Sequence, residues 1–237
     1  MQALADSTLL SLWERGASRH PLDRSLLLAA AARPDWPASD IADLPLGMVN
    51  TSLLRLRSAT FGPTLHGHAD CTQCGQRLAF SMEVQQMLPT SEGPDGAGHE
   101  TAVAGLRVRP PSLRDLALVA AEADAKQAAR ALLTRCTLAG DAAQVSDAAL
   151  HEVEDALDTL DPQASLVLGL QCVACGHAGE AQLDPGALLW DEIEVRAQAL
   201  LLEVHRLASA YGWGEAQILA LSPARRARYL ALLGGVT

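Results

Sequence analysis

Four cysteines in two matching runs are the residues of this 237-residue chain whose types and spacing suit metal or redox chemistry. Cys71-Thr72-Gln73-Cys74-Gly75 and Cys172-Val173-Ala174-Cys175-Gly176 are each a C-x-x-C closed by glycine. Two thiols so spaced reach one ion from a single loop, and four thiolates at about 2.3 Å complete a tetrahedral Zn²⁺ site. Glycine after the second cysteine allows either a backbone with φ > 0 or a close approach that a Cβ would hinder. A lone C-x-x-C can be a redox motif, but that reading asks for a pair opening a helix in a βαβ unit. Neither pair has that context. The matched pairs therefore point to structural Zn²⁺ held by Cys71, Cys74, Cys172 and Cys175. Disulfides, reduced thiols or another metal are the alternatives. Cys136 lies on an apolar helical stretch with Leu132, Leu133 and Leu138 and reads as a small hydrophobe.

The elements around the pairs follow from periodicity. Leu78, Phe80, Met82 and Val84 alternate after the first pair, and Ala181 and Leu183 after the second. Leu166, Leu168 and Leu170 alternate into the second pair. Period-two patterning predicts half-buried strands. The unit is a thiol-bearing loop beside a strand, occurring twice, with a zinc-ribbon character. Residues 75–171 separate the two pairs, longer than a compact ribbon, so a helical region is inserted between its halves. The alternation of Val103, Leu106 and Val108 predicts a second strand that pairs with 78–84 as a hairpin with a long tip over 91–98. His66 and His68 read as exposed loop histidines.

Elsewhere the signals are helical. Aromatics are 3% of a chain that is 49% apolar, so the core is built from Leu, Ala and Val, which favours helices. Helices are predicted for 3–15, from His20-Pro21 to Ala32, and for 50–60, with Leu53, Leu54 and Leu56 inward and Arg55 and Arg57 outward. Residues 34–46 read as a connection. Ser112 with Asp115 resembles a capping box; Asp124 and Ser146 read as further N-caps, and Asp184-Pro185 opens the longest helix. That helix turns Leu189, Ile193, Ala197, Leu200, Val204, Leu207 and Tyr211 inward, and Glu192, Arg196 and Glu203 among others outward. The acidic residues Glu152, Glu154, Asp155 and Asp158 read as a solvated face.

The fold class expected is mainly α with a small β zinc-ribbon element (α+β), two C-x-x-C knuckles joined across a helical insertion. One integrated domain is expected: 1–65 helical, 66–109 with 165–184 as the cysteine-bearing β region, 110–164 as the insertion, and 185–237 as the long helix with short helices after it. A formal net charge of −10 opposes general nucleic-acid binding. No apolar run is long enough to span a membrane and no leader is evident, so a cytoplasmic protein is expected. No phosphate loop, nucleophile elbow or H-E-x-x-H occurs, and catalytic zinc would leave a ligand position open. The expectation is a non-enzymatic protein. Its C-terminal apolar series, Trp213, Ile218, Leu221 and Tyr229, with Arg225, Arg226 and Arg228 beside it, is a candidate partner-binding surface.

A family resemblance adds to this reading. Leu188-Leu189-Trp190-Asp191-Glu192-Ile193-Glu194, Glu203-Val204-His205-Arg206-Leu207-Ala208 and the run from Tyr211-Gly212-Trp213-Gly214-Glu215-Ala216 through Ser222-Pro223-Ala224-Arg225-Arg226 to Tyr229-Leu230 resemble the baseplate hub assembly proteins of T4-type contractile phages. Trp13-Glu14-Arg15-Gly16, Phe61-Gly62-Pro63, Pro110-Pro111-Ser112-Leu113-Arg114-Asp115-Leu116 and Asp161-Pro162-Gln163-Ala164 fit the same pattern. Gly214 stands where a helix-capping Ser is expected. The resemblance implies a chaperone-like assembly role in a phage-tail-like contractile injection system, with baseplate or hub subunits as partners. A permanent place in the baseplate is the first alternative, and a zinc-ribbon regulator that binds nucleic acid is the second.

Overall fold

The computed structural model describes residues 2–89 and 100–234. Its helical core is arranged along one long helix, α8 (Pro185–Tyr211). Asp184 starts it, accepting from the amides of Gly186 at 2.8 Å and Ala187 at 3.1 Å. Gly212 stops it in the left-handed conformation, φ +68°, with its N–H on the Ala208 carbonyl. The inward stripe Leu189, Trp190, Ile193, Ala197 and Leu200 is buried against α1 (Asp6–Gly16), α2 (Pro21–Ala32) and α4 (Leu46–Phe61). Each such Leu or Ile stabilises the fold by roughly 1.5–3 kcal/mol. Close approach needs a glycine at Gly16, where a Cβ would lie 2.4 Å from the Trp190 ring.

Two expectations for this layer are corrected. Residues 34–46 hold a short helix, α3 (Ala38–Ala42), whose Ile41 is fully buried. Arg57 points inward: it is 4% exposed and forms a bidentate pair with Glu192 of α8 at 2.6 and 2.8 Å. Its remaining N–H groups reach the carbonyls of Gly62 and Thr64. Glu192 therefore faces the body of the fold too.

Among the described residues, the strands form three small antiparallel sheets. β1 (Thr64–Asp70) pairs with β2 (Arg77–Glu83), and β6 (Leu166–Gln171) with β7 (Ala178–Leu183). The third sheet joins β3 (Thr101–Val103), β4 (Leu106–Val108) and β5 (Thr137–Ala139). This overturns the pairing of 78–84 with 101–108. β2 takes the unpredicted β1 as its partner, and β3 and β4 form their own hairpin over Ala104 and Gly105, at φ +50° and +76°. Positive φ at both central residues is the hairpin geometry that matches strand twist. The 91–98 tip lies outside the described residues.

The third sheet, with α6 (Ala125–Cys136) and α7 (Asp147–Leu160), encloses a second core of Leu106, Val108, Leu133, Val145, Leu150 and Val153. Cys136, the last residue of α6, is 1% exposed, and burial pushes its thiol up to about 11. The expected caps are present: Asp124 accepts from the Gln127 amide and Ser146 from the Ala149 amide.

Asp115 ties this unit to α5 (Leu113–Val119). It is 1% exposed and completes the expected capping box with Ser112. It also accepts from Arg109 at 2.6 Å and Arg135 at 3.1 Å. Burial alone would raise its pKa; hydrogen bonds from Arg109 and Ser112 outweigh it and hold the carboxyl at about 2. A depressed carboxyl stabilises the fold above the unfolded pKa, and that contribution fades as pH falls through the folded one. The window runs from 3.8 down to about 2, with about 2 kcal/mol at stake. Urea unfolding across it is expected to show the wild type losing more stability than Asp115→Asn. Equal losses would show that the ion pairs contribute nothing.

Candidate metal centre

The cysteine loops are the tips of the two hairpins β1–β2 and β6–β7. In each, the leading cysteine N–H bonds the carbonyl five residues on, Cys71 to Gln76 at 2.9 Å and Cys172 to His177 at 2.8 Å. The glycine N–H then returns to the leading cysteine carbonyl, Gly75 to Cys71 and Gly176 to Cys172, both at 2.9 Å. Gly75 and Gly176 have φ +71° and +75°, and nothing lies within 4 Å of a Cβ built on either. Of the two roles open to these glycines, the structure selects backbone conformation.

The tips bring all four sulfurs within 4.8 Å of one another. Cys71 Sγ is 3.8 Å from Cys175 Sγ, and Cys74 Sγ is 3.6 Å from Cys172 Sγ. An S–S bond is about 2.05 Å, and all five cysteines are free thiols. Bonds of about 2.3 Å to a central ion place tetrahedral sulfurs about 3.8 Å apart. The two cross-tip separations match that spacing, and the remaining ones lie within 4.8 Å, so the four thiols are close enough together to hold one metal ion. Cys71 and Cys172 are buried, and Cys74 and Cys175 face outward.

Backbone amides prepare the sulfurs for negative charge. Those of Cys74 and Gln73 donate to Cys71 and lower its pKa. Those of Cys175 and Ala174 do the same for Cys172, whose thiol falls to about 7. Cys74 receives the Gln76 amide, yet the thiols of Cys175 and Cys172 and burial push it up to about 12. The His177 amide lowers the Cys175 thiol, but partial desolvation beside the other sulfurs and the thiols of Cys172 and Cys71 raise it on balance. Four thiolates cannot share this volume without a cation among them. A divalent ion bound among them would remove that repulsion and take the sulfurs as thiolates.

The strands behind the tips pack by an exchange of sizes. In the first hairpin, small residues of β1 face large ones of β2: Gly67 opposite Phe80 and Ala69 opposite Leu78. In the second the order is reversed, Leu168 opposite Ala181 and Leu170 opposite Gly179. Phe80 lies over Gly67, where a Cβ would meet its ring at 2.4 Å. Phe80, Met82, Leu166 and Leu168 pack around buried Leu65, Val84, Met87, Leu183 and Leu54 of α4, forming a third core beneath the sulfurs. Thr72 Oγ1 and His177 Nε2, 3.2 Å apart, link the two tips. Neither was legible as functional, since each acts only across the fold. His66 and His68 are exposed as expected, but on strand β1 and away from the sulfur cluster.

The candidate partner surface divides. Tyr211 and Trp213 stack with centroids 4.7 Å apart, and Tyr229 meets both edge-on. Trp213, Leu221 and Tyr229 are half-buried; Arg225 and Arg228 are exposed. Ile218 and Arg226 are corrected: they are 0% and 1% exposed and belong to the interior. Arg226, on α10 (Pro223–Gly234), pairs with Asp6 of α1 and with Glu203 of α8 at 2.9 Å. Arg196 holds the same two carboxylates at 3.3 and 3.0 Å. Glu203 and Arg196 thus face this joint rather than open solvent. The short helix α9 (Glu215–Leu219) starts without a serine, the Gln217 side chain accepting from the Gly214 amide at 3.0 Å.

No protein-family model, curated protein or solved structure matches this chain. Among the described residues, no helix is long and apolar enough to cross a membrane.

Proposed function

We propose that this chain is an assembly factor for the baseplate of a phage-tail-like contractile injection system, with one structural Zn²⁺ on Cys71, Cys74, Cys172 and Cys175. The observation that carries the metal is the pair of cross-tip sulfur distances, 3.8 and 3.6 Å, with backbone amides donating to Cys71 and Cys172. Thiolate ligands at tetrahedral spacing favour zinc. The ion's chemistry here is that of a tie between two segments distant in sequence. The chain's own residues supply the rest: the two glycine turns hold the thiols in place, and the third core holds the hairpins.

The assembly role is carried by the sequence resemblance. Its support in the structure is that the residues of that pattern serve as joints. Gly16 admits Trp190, Asp161 accepts from the Gly47 amide at 2.9 Å, and Ser112 with Asp115 caps α5. Partner subunits would meet Trp213, Leu221, Tyr229, Arg225 and Arg228. With Arg226 internal, the basic cluster at the C-terminus shrinks to two exposed arginines, which disfavours the nucleic-acid alternative.

The test is affinity capture of the tagged chain from cells expressing a complete injection-system gene cluster, with mass spectrometry of captured and finished particles. Baseplate subunits in the capture and no chain in the particles is the expected result. A fixed ratio in the particles would make it a permanent component. Capture of no baseplate subunit would overturn the assignment. Elemental analysis of the purified chain is expected to give one zinc per chain.

A further inference from the structure

We propose that the outer face of α8 pairs two copies of this chain about a two-fold axis. The inner face of α8 is consumed by the helical core, but the opposite side carries Val195 at 69% and Leu202 at 59% exposure. Asp191, Val195, Ala199, Leu202 and Arg206 follow four-four-three-four spacing, and all are exposed. Such spacing places them on one stripe of the helix. A solvated helix face would carry polar side chains at its centre, and this one carries a valine and a leucine with a small alanine between them.

The order of residues along the stripe selects a second copy of this chain as the occupant. Its midpoint lies between Gln198 and Ala199. Val195 and Leu202 are equally far from that midpoint on opposite sides, and so are Asp191 and Arg206. Laid antiparallel on a second copy, Val195 of each helix meets Leu202 of the other. Asp191 of each then meets Arg206 of the other. Ala199 at the crossing lets the backbones approach closely. Opposite charges at mirror positions around an apolar centre make a patch complementary to itself, the requirement for an isologous interface. Neither Asp191 nor Arg206 has an ion pair among the described residues, so both are free for this contact. A single helical stripe falls at the small end of interfaces, below about 1,200 Å². The pairing is therefore expected to depend on concentration.

The test is light scattering behind size exclusion on the full, zinc-loaded chain over roughly 1–100 µM. The mass is expected to rise above the monomer's 25.0 kDa with concentration. Asp191→Arg alone and Arg206→Asp alone are expected to return it to monomer by placing like charges opposite each other. The double variant Asp191→Arg/Arg206→Asp is expected to restore the dimer. Rescue by the swap also separates the pairing from any folding defect. A wild type that stays at the monomer mass throughout, or a swap that does not restore association, would overturn the proposal.

Discussion

Cys172→Ser is expected to abolish stoichiometric zinc binding and to unfold the two cysteine hairpins. Cys172 is 1% exposed, receives two backbone amides and lies 3.6 Å from Cys74 Sγ. A serine oxygen is a poorer ligand for zinc and leaves the remaining thiolates crowded. Structural zinc contributes about 10–16 kcal/mol in small metal-dependent folds, against about 5–15 kcal/mol for the net stability of a domain. The core beneath the sulfurs has few buried side chains, Leu54, Leu65, Val84, Met87 and Leu183, and does not replace that contribution. The helical core around α8 has its own apolar cluster. Loss is thus expected to be regional: amide exchange rises across β1–β2 and β6–β7 while α8 stays protected, and aggregation follows from the exposed strands. Cys136→Ala, outside the cluster, is expected to keep its full metal content. A Cys172→Ser protein with the wild-type melting profile and exchange pattern would end the structural-metal reading.

Arg226→Ala is expected to lower stability by about 3 kcal/mol, whereas Arg225→Ala and Arg228→Ala change it by less than about 0.5 kcal/mol. The three arginines are close in sequence and differ in environment. Arg226 is 1% exposed and joins α10 to both α1 and α8 through Asp6 and Glu203, with the Leu221 carbonyl accepting at 2.7 Å. Truncation leaves two partly buried carboxylates to Arg196 alone and opens a void in the joint. That retained Arg196 contact keeps the cost at the low end for a broken buried pair. Chemical denaturation of the three variants decides this. Similar midpoints for all three would show that the Arg226 joint is energetically idle. Loss of baseplate capture by Arg225→Ala or Arg228→Ala at unchanged stability would instead mark those two as contact residues.

What was legible in the chain was what is local. The thiol loops, the Asp184-Pro185 start, the caps at Ser112, Asp124 and Ser146, and the strands β6 and β7 each announce themselves within a few residues. β1 did not, because its inward residues are Leu65, Gly67 and Ala69; the apolar volume for two of them is supplied across the ladder by Phe80 and Leu78. The β3–β4 turn was hidden because Ala104 occupies a positive-φ position where Asn, Asp or Gly is the usual signal. β5 follows α6 with no breaking residue between them. Arg57 and Arg226 looked like solvent-facing arginines. Their burial depends on Glu192, Asp6 and Glu203, carboxylates far away in sequence.

The wide separation of the two thiol loops has a consequence for biosynthesis. The chain leaves the ribosome from its N-terminus, so Cys71 and Cys74 emerge first. At about 5–20 residues per second, the stretch of about a hundred residues to their counterparts takes about 5–20 s to emerge. Throughout that interval the nascent chain carries only half of the four-thiol cluster. The delay is long enough for residues 101–160 to close around their own apolar centre, since helices and hairpins form in microseconds. Residues 101–160 are then a compact unit when the second half arrives. Under the proposed zinc role, the newly made chain would depend on a reducing environment and a zinc supply for those seconds, and a mismatch in either would be an error that the finished protein no longer faces.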